Sequence, residues 1–152
     1  MTFLSRIADA LVGKPSADSL NSGLNSLVEK KKLYEVKVKK RTMEFNLRKR
    51  ELLRTLQKML KNKVISAQAY EIIQHEVDTL LQIGIADLEA LKSRRKSGNR
   101  EQIINSEIIR LADIALEINV HKTDLAMTEK QISSLKRRMQ ELNYLQPAES
   151  NA

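Results

Sequence analysis

The 152-residue chain carries 27 Lys and Arg against 19 Asp and Glu, with no Cys and no Trp. The missing thiols exclude disulfides, thiol catalysis and Cys-ligated metal sites, and no apolar run approaches the roughly 18 residues a membrane-spanning helix needs. A Leu-, Lys- and Glu-rich, aromatic-poor composition suits an all-α chain with coiled-coil character better than a sheet protein or a wide ligand pocket.

Residues 1–13 read as a short amphipathic helix. Thr2 is placed to cap it, and Phe3, Leu4, Ile7, Ala8 and Leu11 fall on one side, with Ser5, Arg6 and Asp9 on the other. The stretch lacks the form of a secretory signal, because Arg6 and Asp9 break its apolar run and no small-residue cleavage site follows. Gly13 and Pro15 end the helix, which leaves residues 14–18 as a linker.

The next helical pattern spans 19–62. Leu24, Val38, Phe45, Leu52 and Met59 hold a sevenfold phase, with Leu20, Leu27 and Tyr34 as a companion stripe. Lys31, Arg41 and Arg48 fall in or beside that seam, where cations weaken packing and snorkel outward. The helix is therefore expected to be packed at its ends and wet in its middle. Between Glu29 and Lys63 it carries 14 Lys and Arg against 4 Asp and Glu, while the rest of the chain has 13 against 15. The excess positive charge thus sits in one segment, which is where a polyanion would touch.

Asn62 to Ser66 reads as a reversal, with Ser66 as N-cap and Val64 and Ile65 folding back onto the hairpin end. A helix over 67–92 follows, presenting Tyr70, Ile73, Val77, Leu80, Leu81, Leu88 and Leu91 on one face, with Gly84 marking a crossing or kink. Ser93 to Arg100 reads as a basic turn. The last helix, 99–144, repeats an apolar residue at every seventh position: Ile104, Leu111, Ile118, Leu125, Ile132 and Met139. Such a repeat keeps one stripe facing a partner, and this stripe is read as a self-association seam. Its companion stripe runs through Ile108, Ala115, Leu135 and Leu142 and is interrupted around His121, Lys122, Thr128 and Glu129. The helical domain covers 19–146, and 147–152 form a tail.

Motifs for catalysis are missing: there is no HExxH, no phosphate loop of the GxxxxGK[ST] kind and no GxSxG elbow. His75 and His121 have no ligand-spaced partners and read as surface or seam residues. No enzyme, cofactor or metal is expected. The chemistry on offer is an apolar N-terminal face of Phe3, Leu4, Ile7 and Leu11 for membrane insertion, next to a cationic pool for an anionic surface. That pool is Lys30, Lys31, Lys32, Lys37, Lys39, Lys40, Arg41, Arg48, Lys49, Arg50 and Arg54. Nucleic-acid or ribosome binding through the same cations is the alternative, although few aromatics interleave them for stacking. A coiled-coil adaptor for another protein is a third.

The run Leu4-Ser5-Arg6-Ile7-Ala8-Asp9-Ala10-Leu11 is similar to the start of proteins of the PspA/Vipp1 branch of the ESCRT-III superfamily. The order of a short amphipathic helix, a basic long helix, a tight reversal and further long helices resembles the wider superfamily. The resemblance implies a membrane-remodelling protein that polymerises into filaments, with the first helix in lipid, and the lack of a spanning run or secretory signal adds the expectation of a cytoplasmic, membrane-peripheral location. The resemblance also implies a separate ATPase for any disassembly. The expected architecture is all-α: a short N-terminal amphipathic helix followed by long antiparallel helical hairpins in a homo-oligomer on anionic phospholipid membrane.

Overall fold

The computed structural model describes residues 16–98 and 102–143. The proposed insertion residues Phe3, Leu4, Ile7 and Leu11, and the tail, lie outside the described residues. The fold is all-α: α1 is Ala17–Lys61, α2 Ala67–Thr79, α3 Ile85–Ser97 and α4 Gln102–Glu141. Among the described residues no helix is long and apolar enough to cross a membrane.

Helix ends follow local chemistry. The Oγ of Ser16 accepts from the Ser19 amide at 3.1 Å, so α1 begins inside what the sequence suggested was linker. Asp18 in its first turn faces the positive end of the helix dipole. The reversal after α1 falls where expected: Lys63 takes a positive φ of 57°, and Ser66 caps α2 by accepting from the Ala69 amide at 3.0 Å. Ile65 is buried there, whereas Val64 stays in solvent.

The expected single helix over 67–92 is two. The chain leaves α2 through a turn in which the Gln82 amide donates to the Thr79 carbonyl, and Gly84 is the extended N-cap of α3. The break re-aims the chain without losing the predicted face, since Ile73, Val77, Leu80, Leu88 and Leu91 are all buried. The basic turn is shorter than expected as well. Helix α3 runs on to Ser97 and carries Arg94, Arg95 and Lys96 in its last turn, where cations meet the negative end of the dipole.

Contacts divide the described residues into two compact units, one within 35–123 and the other made of those up to Tyr34 with those from Asp124 onward. In the 35–123 unit, Phe45, Leu52 and Leu56 of α1 join a single core with the buried residues of α2 and α3 and with Ile104, Ile108, Leu111, Ala115 and Ile118 of α4. In the other unit, Leu20, Ile132 and Met139 are buried, Leu125 is half-buried, and Gly23 brings the α1 backbone close to Leu135.

This packing corrects the reading of the α4 stripe. Ile104, Leu111 and Ile118 are spent in one unit's core, and Ile132 and Met139 in the other's. Five of the six repeat positions are thus covered within the chain and Leu125 is half-buried, so the repeat does not by itself call for a second copy. Thr128, in the interruption, is buried with its hydroxyl donating to the Asp124 carbonyl at 2.9 Å.

Candidate anionic-surface interface

The α1 stretch of the 35–123 unit has two opposed faces. At 3.6 residues per turn, Phe45, Leu52 and Leu56 share the inward side, and residues 36, 40, 43, 47, 50 and 54 share the outward side. The outward side is mixed in chemistry. Lys39, Lys40, Arg50 and Arg54 are exposed along it. So are three apolar side chains: Val36 at 47%, Met43 at 63% and Leu47 at 54% of full exposure. Glu51 is the acid on this side.

The flanks of α1 hold the remaining cations in ion pairs. Arg41 bridges two carboxylates, with Nη1 2.7 Å from Glu44 Oε2 and Nε 2.7 Å from Glu117 Oε2 on α4. Arg48 reaches the other Glu44 oxygen at 3.4 Å. The Arg41 hydrogen bond, reinforced by Arg48, holds the Glu44 carboxyl below the usual carboxylate range, and Glu44 with Glu117 raises the Arg41 guanidinium in turn. Lys49 meets Asp78 of α2 at 2.7 Å. Within the other unit, Lys31 lies 4.0 Å from Glu129, while Lys30 and Lys32 are exposed. Lys37 is exposed but engaged.

The structure therefore sorts the cationic pool. Arg41, Arg48 and Lys49 are held in ion pairs, with their side chains 41%, 29% and 27% exposed, so the seam cations Arg41 and Arg48 keep contact with water. Lys39, Lys40, Arg50 and Arg54 share one outward face. Of the α2 acids, Asp78 pairs with Lys49 of the basic helix, whereas Glu76 pairs with Arg95 of α3. The sequence reading did not single out the exposed apolar residues Val36, Met43 and Leu47. Their signal was present, because Val36 and Met43 are seven apart and Leu47 follows four later. It was masked by the stronger Phe45–Leu52 phase on the opposite side.

Two grooves open along the 35–123 unit. The first, about 740 Å³, lies beside the Arg41 cluster and is lined by Lys37, Lys40, Leu116, Val120 and His121, while Phe45 and Leu52 in the same middle stretch of α1 are buried, so the expected wet middle is packed on its inward side. His121 Nδ1 is buried there without a hydrogen-bond partner. The second, about 770 Å³, lies between Leu52, Thr55 and Met59 of α1 and Ile103, Ile104 and Glu107 of α4. Among the described residues no group of three or more His, Asp or Glu could hold a metal ion. In the first groove Glu44 and Glu117 are both committed to Arg41, which leaves neither as a free base.

Comparison with protein-family models, curated proteins and solved structures finds no match. The functional reading therefore rests on the chain's own residues.

Proposed function

We propose that this chain is a non-enzymatic protein that docks peripherally on anionic membranes, with the outward face of α1 as its contact surface. The observation that carries the reading is the segregation of charge on that helix. Cations near acids are paired on the flanks, and Lys39, Lys40, Arg50 and Arg54 share the outward side with one acid, Glu51. Each Lys or Arg near an anionic leaflet contributes about 1 kcal/mol, so the four supply about 4 kcal/mol of salt-sensitive attraction, to which further contacts must add. The resemblance of residues 4–11 to PspA-type proteins agrees with a lipid partner, and Phe3, Leu4, Ile7 and Leu11 would supply a second contact. Coating or remodelling of the membrane would require copies to meet through surfaces other than the buried α4 stripe.

Liposome co-sedimentation tests this. The chain should pellet with vesicles containing phosphatidylglycerol and remain in the supernatant with neutral ones. A Lys39→Glu/Lys40→Glu/Arg50→Glu/Arg54→Glu variant should lose pelleting while keeping its helical circular dichroism, because none of the four is in a salt bridge among the described residues. Retention on duplex DNA or RNA with a steep salt slope, without vesicle binding, would move the nucleic-acid reading ahead.

A further inference from the structure

We infer that α1 inserts as well as docks: Val36, Met43 and Leu47 form a lipid-contacting stripe, so the helix lies at the interface with these three side chains reaching the acyl boundary and the neighbouring cations at the phosphates. The inference rests on the membrane reading above and adds a contact which that reading does not require. The three residues fall within about 40° of arc and about 16 Å of helix axis, from one pitch of 3.6 residues per turn and 1.5 Å per residue. Each is about half exposed or more, although the same helix buries Phe45, Leu52 and Leu56 on its opposite side. The apolar exposure is thus a line along one helix rather than scattered surface residues.

Charge complementarity selects the occupant. Lys40, Arg50 and Arg54 lie in line with the apolar stripe, and Lys39 flanks it. Across an apolar partner helix, one without acids placed as Glu117 and Asp78 are for Arg41 and Lys49, those cations would be caught unpaired in the seam and desolvated. Against a second copy, two such faces would set like charge against like charge. At a bilayer surface the same arrangement is satisfied, because long Lys and Arg side chains reach back to the phosphates while the apolar side chains enter the acyl boundary. The partner is therefore an anionic phospholipid surface.

The chain has no Cys, so single thiols report cleanly. Met43→Cys and Leu47→Cys variants, labelled with an environment-sensitive NBD fluorophore, would be mixed with phosphatidylglycerol vesicles. A label at Ser93→Cys on the exposed surface of α3 serves as control. Both α1 labels should shift to the blue and be quenched by spin-labelled acyl chains, and the α3 label should do neither. A Val36→Gln/Met43→Gln/Leu47→Gln variant should lose about a hundredfold in partitioning. Its remaining binding should vanish at about 0.5 M salt, where the parent keeps a salt-resistant fraction.

If the parent pellets with anionic vesicles but the α1 labels stay aqueous and the Gln variant binds as well, insertion by α1 is wrong and charge docking stands. A parent that does not pellet overturns the membrane reading and the inference together. A concentration-dependent blue shift without vesicles would assign the stripe to a second copy and overturn it.

Discussion

Single side chains in this protein separate structural from available charge, and Arg95 shows how. It lies near the end of α3, in a run that reads from sequence as a solvated basic turn, yet it ties three helices together. Its guanidinium pairs with both Glu76 oxygens on α2 and donates to Asn105 Oδ1 on α4 at 3.0 Å. The Arg95 and Glu76 side chains are only 21% and 18% exposed. Removing one member strands the other's charge, so Arg95→Ala should cost about 2–3 kcal/mol, below the full cost of breaking a deeply buried pair because both groups keep some water. Urea unfolding of Arg95→Ala and of Arg95→Met/Glu76→Met checks this, and the double variant should be the more stable of the two. Equal midpoints for Arg95→Ala and the parent would show that the clamp is ornamental. The Ser66 cap was legible because Ser before an amphipathic run is a local signal. Arg95 was not, because its partners lie 19 and 10 residues away and nothing local marks them.

At the level of elements, the long helices were readable and their interruptions only partly so. Gly23 and Gly84 look alike in sequence, each a single glycine within an apolar helical pattern. Gly84 caps a new helix, while Gly23 lies inside α1, where a Cβ would meet Leu135 Cδ2 at 3.8 Å, an ordinary contact distance. The difference is set by the turn after Thr79, which tertiary packing selects and periodicity does not encode. It also makes Gly23 improvable. Gly23→Ala keeps a helical backbone, meets no clash and removes the entropic cost of glycine in mid-helix, so it should stabilise the chain by about 1 kcal/mol. In thermal unfolding that is a rise of about 2–4 °C for a chain of this size. A fall in the midpoint would mean that α1 and Leu135 approach more closely here than the 3.8 Å contact allows.

For the whole molecule, the all-α class and the location of the basic surface could be read from pattern, but the owner of the α4 stripe could not. A heptad repeat states that a stripe is covered, not whether the covering helix is in the same chain, because spacing is local and pairing is tertiary. The same ambiguity hid the outward stripe of α1, which is apolar yet uncovered by the core. The intramolecular assignment has a direct consequence for Ile118, which is buried in the 35–123 unit. If that stripe is core, Ile118→Ala leaves a cavity and should cost about 2–4 kcal/mol of folding stability. The loss should not depend on protein concentration, and the sedimentation mass should match the parent's at every concentration tested. If the stripe were an interface between copies, the variant would instead dissociate, and its apparent stability would track protein concentration by mass action. Chemical unfolding at two concentrations a hundredfold apart, alongside sedimentation equilibrium, separates the two. A concentration-dependent midpoint in the parent that disappears in the variant would return the stripe to a second copy, and the contact face proposed for α1 would then have to be sought on an assembly rather than on a single chain.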